Sequence, residues 1–198
     1  MNIPCRRSAR LKGYDYAQPA AYFVTVCTRD RECLLSHVVN GEMRLNDAGE
    51  IVQSVWDGLP DRFPATELDA FVVMPNHVHG IVAFVGAGLA LPAAKGAASS
   101  APTLRNVGDG ATRGARALGE VGNGVAGGTP TLADLVRAFK PLSAIHVNRR
   151  LMRSGSLWQR SYYEHVIRNE RELDKIREYI ITNPLRWALD RENPQRTE

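Results

Sequence analysis

LDAFVVMPNHVHGIVAFV, residues 68 to 85, is among the most apolar stretches of the chain and reads as two strands with almost nothing between them. The runs 68–74 and 77–85 are rich in Val, Phe and Ile, and only Pro75–Asn76 separates them, so they should pair as an antiparallel hairpin. His77 and His79 open its second strand. Side chains alternate faces along a strand, so both imidazoles project together while Val78 turns to the other side. Two neighbouring imidazoles suit a metal ion or a phosphate better than they suit a hydrophobic core. Such a pair leaves coordination positions open, as a catalytic metal requires and a closed structural zinc does not. With no thiolate or third histidine close in sequence, the remaining ligands would be oxygens or an amide. That set favours Mg²⁺ or Mn²⁺, although imidazole alone also tolerates zinc.

Outward from the hairpin, the elements fall into a regular order. AAYFVTVCT (20–28) is a strand by its β-branched and aromatic content. ECLLSHVVNGEMRL (32–45) is a small hairpin turning at Asn40–Gly41. Asn46 caps a helix over 47–59 whose Ile51, Val52, Val55, Trp56 and Leu59 recur at helical spacing, and Pro60 and Pro64 end it. A second helix spans about 129–150, with Thr129 as cap, Pro130 at its first position and Pro141 as the place for a kink. SLWQRSYYEHVIR (156–168) alternates as a strand, and Asn169 caps a last helix carrying Leu173, Ile176, Tyr179 and Ile180 up to Asn183–Pro184. Strand, helix, strand, strand, helix, strand, helix predicts an α+β fold. The arrangement is ferredoxin-like (RRM-like), an antiparallel sheet with helices packed on one face.

Residues 86–130 interrupt this order. The stretch is Gly, Ala and Ser without apolar period and holds eleven of the chain's 17 glycines, so burial cannot offset its ordering entropy. It is expected to be a flexible insertion within one domain spanning 1–198. The bulk composition, 44 % hydrophobic and 23 % charged, is that of a soluble globular protein. No apolar run is long enough for a membrane span, and the basic N-terminus lacks the apolar segment of a secretory signal, so a cytoplasmic location is expected. Cys5, Cys27 and Cys33 show no C-x-x-C spacing, which argues against a disulfide framework or a zinc ribbon. A formal charge of +4 permits a polyanionic partner without requiring one.

Two further groups could carry chemistry. Tyr179 and Asn183 are four apart, so one helical face can present a phenol beside a carboxamide, although Tyr179 could equally close the apolar stripe and Asn183 end the helix. Arg6, Arg7, Arg10 and Lys12 form a basic arm ahead of the first strand, either a solvated tail or a set of phosphate contacts.

MPNHVHGIV (74–82), WQRSYYEHVIRNERELDKIREYIITNP (158–184) and RRSARLKGYDYAQPAAYFVTVCTRDR (6–31) together resemble the REP-associated tyrosine transposases, the domesticated branch of the HUH single-strand transposases. The resemblance covers nearly the whole chain except 86–130. It implies that His77 and His79 are metal ligands, that Tyr179 is the nucleophile, and that Asn183 stands at a third ligand position often held by Gln. It also implies a ferredoxin-like domain, a Mg²⁺ or Mn²⁺ cofactor, and cleavage of single-stranded DNA beside palindromic hairpins by a monomer or homodimer. Beside a DNA-cleaving site, the arm becomes a nucleic-acid contact. Two other classes stay open: a non-catalytic module that holds hairpin nucleic acid on its sheet, and a metal-dependent nuclease that uses water while Tyr179 is structural.

Overall fold

The structure is a computed structural model that describes residues 21–40, 42–84, 130–190, 192–194 and 196. The insertion expected over 86–130, apart from Pro130, and the arm with Arg6, Arg7, Arg10 and Lys12 lie outside the described residues.

Strand β1 (Ala21–Cys27) leads through a 3-10 turn at Arg29–Arg31 into a small hairpin, β2 (Ser36–Val39) and β3 (Glu42–Leu45). Asn40 has φ 53° at its turn, the left-handed conformation that Asn tolerates better than most residues. Helix α1 (Asp47–Asp57) starts where Asn46 accepts from the backbone N–H groups of Ala48 and Gly49, as its cap position predicts. A short helix α2 (Leu59–Arg62) follows, then β4 (Thr66–Val73), β5 (His77–Phe84), α3 (Leu132–Arg150), β6 (Tyr163–Ile167) and α4 (Glu170–Thr182).

The main sheet has the order β4-β5-β1-β6, and each neighbouring pair is antiparallel. β1 and β4 are joined through α1 with β5 inserted between them, which is the split βαβ arrangement of the ferredoxin-like fold. The hairpin read from residues 68–85 is present, with Val73 opposite Val78 and the Met74 N–H bonded to the His77 carbonyl at 2.8 Å. The expected α+β class and antiparallel sheet are those of the structure.

Apolar alternation decides which face is core. Tyr22, Val24 and Val26 of β1 and Val78 and Val82 of β5 turn to one side, where Val52 and Trp56 of α1 and Leu135, Val136 and Phe139 of α3 cover them. Trp56 lies flat on Phe71 with ring centroids 4.3 Å apart, against the back of β5. Gly80 makes this approach available: a Cβ there would sit 2.4 Å from Trp56 Cζ2 and 2.9 Å from Phe71 Cδ2.

The opposite face carries Phe23 and Thr25 of β1 with His77 and His79 of β5. There the packing goes beyond the one-face arrangement expected, because α4 lies over this side, with Tyr179 reaching both Phe23 and His79. A β-bulge explains how the helix is held. Leu68 pairs with Val82 but Phe71 pairs with Gly80, so β4 has one residue too many between them. Asp69, in that bulge, receives Arg177 of α4 through Nε at 2.9 Å and Nη2 at 2.5 Å, and both side chains are largely buried.

Pro141 lies inside α3, at the place given for a kink, and the helix runs on past it. Two local expectations need correction. Thr131, rather than Thr129, caps α3, closing a reciprocal box with Asp134. The strand expected over 156–168 is confined to 163–167: Trp158 still bridges Thr28, but four residues, 159–162, stand opposite only Val26 and Cys27 of β1, and the ladder breaks there.

Candidate metal and nucleophile site

Register sets the site. His79 of β5 stands opposite Thr25 of β1, and His77 stands opposite Cys27. Both imidazoles are buried, at 0 % and 4 % exposure. Their Nε2 atoms are 3.0 Å apart, and the Tyr179 hydroxyl lies 3.4 Å from His79 Nε2. The fold therefore brings His77, His79 and Tyr179 to one point, although about a hundred residues separate the tyrosine from the pair. Phe23 braces the cluster, with its ring centroid 5.3 Å from that of His79 and edge-on to Tyr179 at 6.0 Å.

The rear nitrogens are also engaged. His77 Nδ1 lies 2.8 Å from Asn76 Oδ1, and His79 Nδ1 lies 2.8 Å from Thr25 Oγ1. Past Asn183 the chain turns through a 3-10 segment at Pro184–Leu189, whose Trp187 ring lies 6.1 Å from the His77 ring. Beyond it, Glu192 forms an ion pair with Arg31 at 3.0 Å. Asn183 ends α4, is 2 % exposed, and its Oδ1 has no hydrogen-bond partner.

Burial governs the electrostatics. It pushes His77 down to about 3, helped by the Arg31 charge, and pushes His79 well below the usual histidine range, helped by His77. Both rings are neutral at pH 7, the form that ligates metals. Burial also raises Tyr179, with Asp190 and Glu192 adding to the rise, while the Asn183 amide and the Arg186 charge oppose it. The phenol is thus protonated at neutral pH and needs a positive charge nearby to become a nucleophile.

These donors fit a divalent cation. Two neutral imidazoles point bare or exchangeable nitrogens at each other, and a buried amide oxygen nearby in sequence to Tyr179 lacks a partner, a costly condition unless something fills it. Among the described residues no three His, Cys, Asp or Glu side chains cluster as a metal site, so a third ligand drawn from these residues would be an amide or hydroxyl oxygen. His165, by contrast, is bonded to Glu172 at 2.8 Å and serves the packing of α4 on β6.

Sequence reasoning overlooked Asn76, Thr25, Asp69 and Arg177. Thr25 reads as a strand residue, and only the register of β1 on β5 reveals its contact with His79; Asn76 reads as a turn residue, and its side chain turns back onto the neighbouring His77 ring. The Asp69 bulge leaves no sequence signal beyond a charge in an apolar strand.

No family model matches the chain. It is 37 % identical over 185 residues to an uncharacterized protein of Haemophilus influenzae (strain ATCC 51907 / DSM 11121 / KW20 / Rd), an alignment taking in 93 % of this chain and 91 % of that one. Among solved structures it is similar to a REP-associated tyrosine transposase bound to a REP hairpin, with a TM-score of 0.51 and 18 % identity over 87 % of this chain and 71 % of the other. At that identity the likeness speaks for the fold. No helix among the described residues is long and apolar enough to cross a membrane.

Proposed function

We propose that this chain, which belongs to one family with the Haemophilus influenzae protein and has the fold of a REP-associated tyrosine transposase, nicks and rejoins single-stranded DNA at palindromic hairpin elements. The reading assigns Tyr179 as the nucleophile and His77, His79 and Asn183 as ligands of Mg²⁺ or Mn²⁺. One observation carries it: the Tyr179 hydroxyl stands 3.4 Å from an imidazole nitrogen that itself faces a second one at 3.0 Å. A hydroxyl beside two metal-competent nitrogens is placed as phosphoryl transfer to tyrosine with a bound cation would need it.

The bound cation would polarise the scissile phosphate and offset the charge that develops in the transition state. The residues of the chain do the rest. Tyr179 Oη attacks phosphorus, forming a Tyr–O–P bond as the P–O3′ bond breaks. The phenol gives up its proton and the departing 3′ oxygen gains one. The 5′-phosphotyrosine conserves the energy of the broken bond, so attack by a 3′-hydroxyl reverses the step and joins strands without ATP. Phe23 and His79 limit the swing of the Tyr179 ring, and Arg177 on Asp69 holds the helix that carries it. Arg6, Arg7, Arg10 and Lys12 are assigned to phosphate contacts with the DNA. The REP hairpin held by the transposase of like fold supports a hairpin partner.

The test is strand cleavage of a labelled single-stranded hairpin oligonucleotide by the wild type and by Tyr179→Phe, with Mg²⁺ and with EDTA. Covalent retention of the label on the protein is expected for the wild type with metal, and for neither control. Cleavage by Tyr179→Phe that leaves a protein-free 5′ end would make water the nucleophile. Hairpin binding without cleavage under any condition would make the chain a binding module.

A further inference from the structure

Behind the histidine pair, one wholly buried side chain is held at both ends of its amide. Asn76 Nδ2 donates to the Glu192 carbonyl oxygen at 2.6 Å and to the Arg31 carbonyl oxygen at 3.2 Å. Backbone carbonyls only accept, so these two contacts decide which end of the amide is nitrogen. The oxygen end is then the one facing His77 Nδ1, at 2.8 Å. An amide oxygen also only accepts, so His77 Nδ1 must carry the hydrogen. A neutral imidazole has a single N–H, and Nε2 is left with a bare lone pair aimed at His79.

His79 is held differently. Its Nδ1 faces the Thr25 hydroxyl at 2.8 Å, and a hydroxyl can donate or accept by rotating about its C–O bond. Without a cation, His79 satisfies the 3.0 Å contact by donating its Nε2 hydrogen to His77 Nε2, while Thr25 donates to its Nδ1. With a cation between the rings, both Nε2 atoms must be bare. His79 then has to carry its hydrogen on Nδ1, and Thr25 turns to accept it.

We propose that Asn76 is a positioning residue that holds His77 permanently in the Nδ1–H tautomer, and that Thr25 lets His79 exchange tautomers when a cation enters. The backbone carbonyls of Arg31 and Glu192 thereby set the direction of a lone pair two contacts away. The second half of the assignment rests on the cation reading proposed above. The first half does not, because it concerns the metal-free protein.

The experiment is ¹⁵N NMR of the histidine-labelled full chain at neutral pH, with the diamagnetic ion Zn²⁺ then added, alongside a Mn²⁺ binding titration. In the metal-free wild type, His77 is expected with Nδ1 protonated and Nε2 bare, and His79 with the reverse. On adding Zn²⁺, both Nε2 resonances should move, but only His79 should change tautomer, its hydrogen passing from Nε2 to Nδ1. In Asn76→Ala, His77 should populate both tautomers, and Mn²⁺ affinity should fall by about tenfold or more. Thr25→Val, of similar shape, should leave the His77 tautomer alone while weakening Mn²⁺. A wild-type His77 protonated on Nε2 overturns the proposal, and so does a folded Asn76→Ala that binds Mn²⁺ with unchanged affinity. If Asn76→Ala does not fold, the wild-type spectrum alone decides the tautomer. If the wild type binds neither ion, the cation reading fails, while the His77 tautomer still decides for or against Asn76.

Discussion

Acidification should unfold this protein through its histidine pair before its carboxylates take part. His77 is fully buried, and its pKa is pushed down to about 3 from an ordinary 6.5, chiefly by burial. Between those values the unfolded chain binds a proton there and the folded chain does not, so stability is intact above pH 6.5 and falls as the pH drops below it. Each pH unit costs about 1.4 kcal/mol for one such group, so going from neutral to about pH 5 removes about 2 kcal/mol through His77 alone. His79 is held down by burial too and pulls in the same direction. Glu32, Asp69, Asp134 and Glu172 act in the same sense, but as lowered carboxylates they lose their contribution only at still lower pH. The window between neutrality and about pH 5 thus isolates the imidazoles. The assay is thermal unfolding against pH in the presence of EDTA, for the wild type and for His77→Gln, which cannot titrate. A 2 kcal/mol loss in a chain of this size corresponds to a fall in Tm of roughly 4 to 8 °C. His77→Gln should show a shallower slope, whatever its absolute Tm. Equal slopes for the two proteins would refute the argument, because the acid sensitivity would then arise elsewhere.

Other perturbations probe the frame around the site. Gly80→Ala forces a methyl group onto Trp56 and Phe71, at 2.4 and 2.9 Å, and should cost about 1–3 kcal/mol by denaturant unfolding, because the stacked rings must shift to admit it. Asp69→Ala leaves the Arg177 guanidinium without its main partner in a largely buried position and should cost about 3–5 kcal/mol, read in the same assay; a change under 1 kcal/mol would show that α4 is held without the bulge. Neutralising Arg6, Arg7 and Arg10 should flatten the salt dependence of single-stranded DNA binding, and an unchanged slope would return the arm to a solvated tail. Deleting most of 86–128 should leave Tm and cleavage largely as they are, and a large loss of either would show that this stretch folds or binds DNA.

The parts of the fold legible in the sequence were those with a local cause. The hairpin of 68–85, the Asn46 and Asn169 caps and the amphipathic face of α4 each follow from neighbouring residues, and each is present. The Thr131–Asp134 box was read two residues early because Thr129–Pro130 imitates the same signal and Asp is a less usual partner than Glu. The strand at 163–167 reads too long in sequence because nothing in its alternation tells that residues 159–162 outnumber the two of β1 opposite them. At the site, the shared face of His77 and His79 was legible from the period of two, and the fold adds that Tyr179 arrives on that face. The surroundings of the pair were not legible. Thr25 lies 54 residues from His79, and Glu192 lies 116 from Asn76, so their contacts exist only once the sheet register and the path of the C-terminal segment are set.

The most direct measurement of the central claim is to find the atom that holds the DNA. Wild-type protein is incubated with Mg²⁺ and a single-stranded hairpin oligonucleotide, digested with nuclease and trypsin, and the nucleotide-bearing peptide is sequenced by mass spectrometry. The account expects a phosphodiester-linked nucleotide on Tyr179, within the tryptic peptide running from Glu178 to Arg186, and no such peptide when Mg²⁺ is replaced by EDTA. A nucleotide on Tyr162, Tyr163 or another residue would contradict it, and so would complete cleavage with an unmodified peptide.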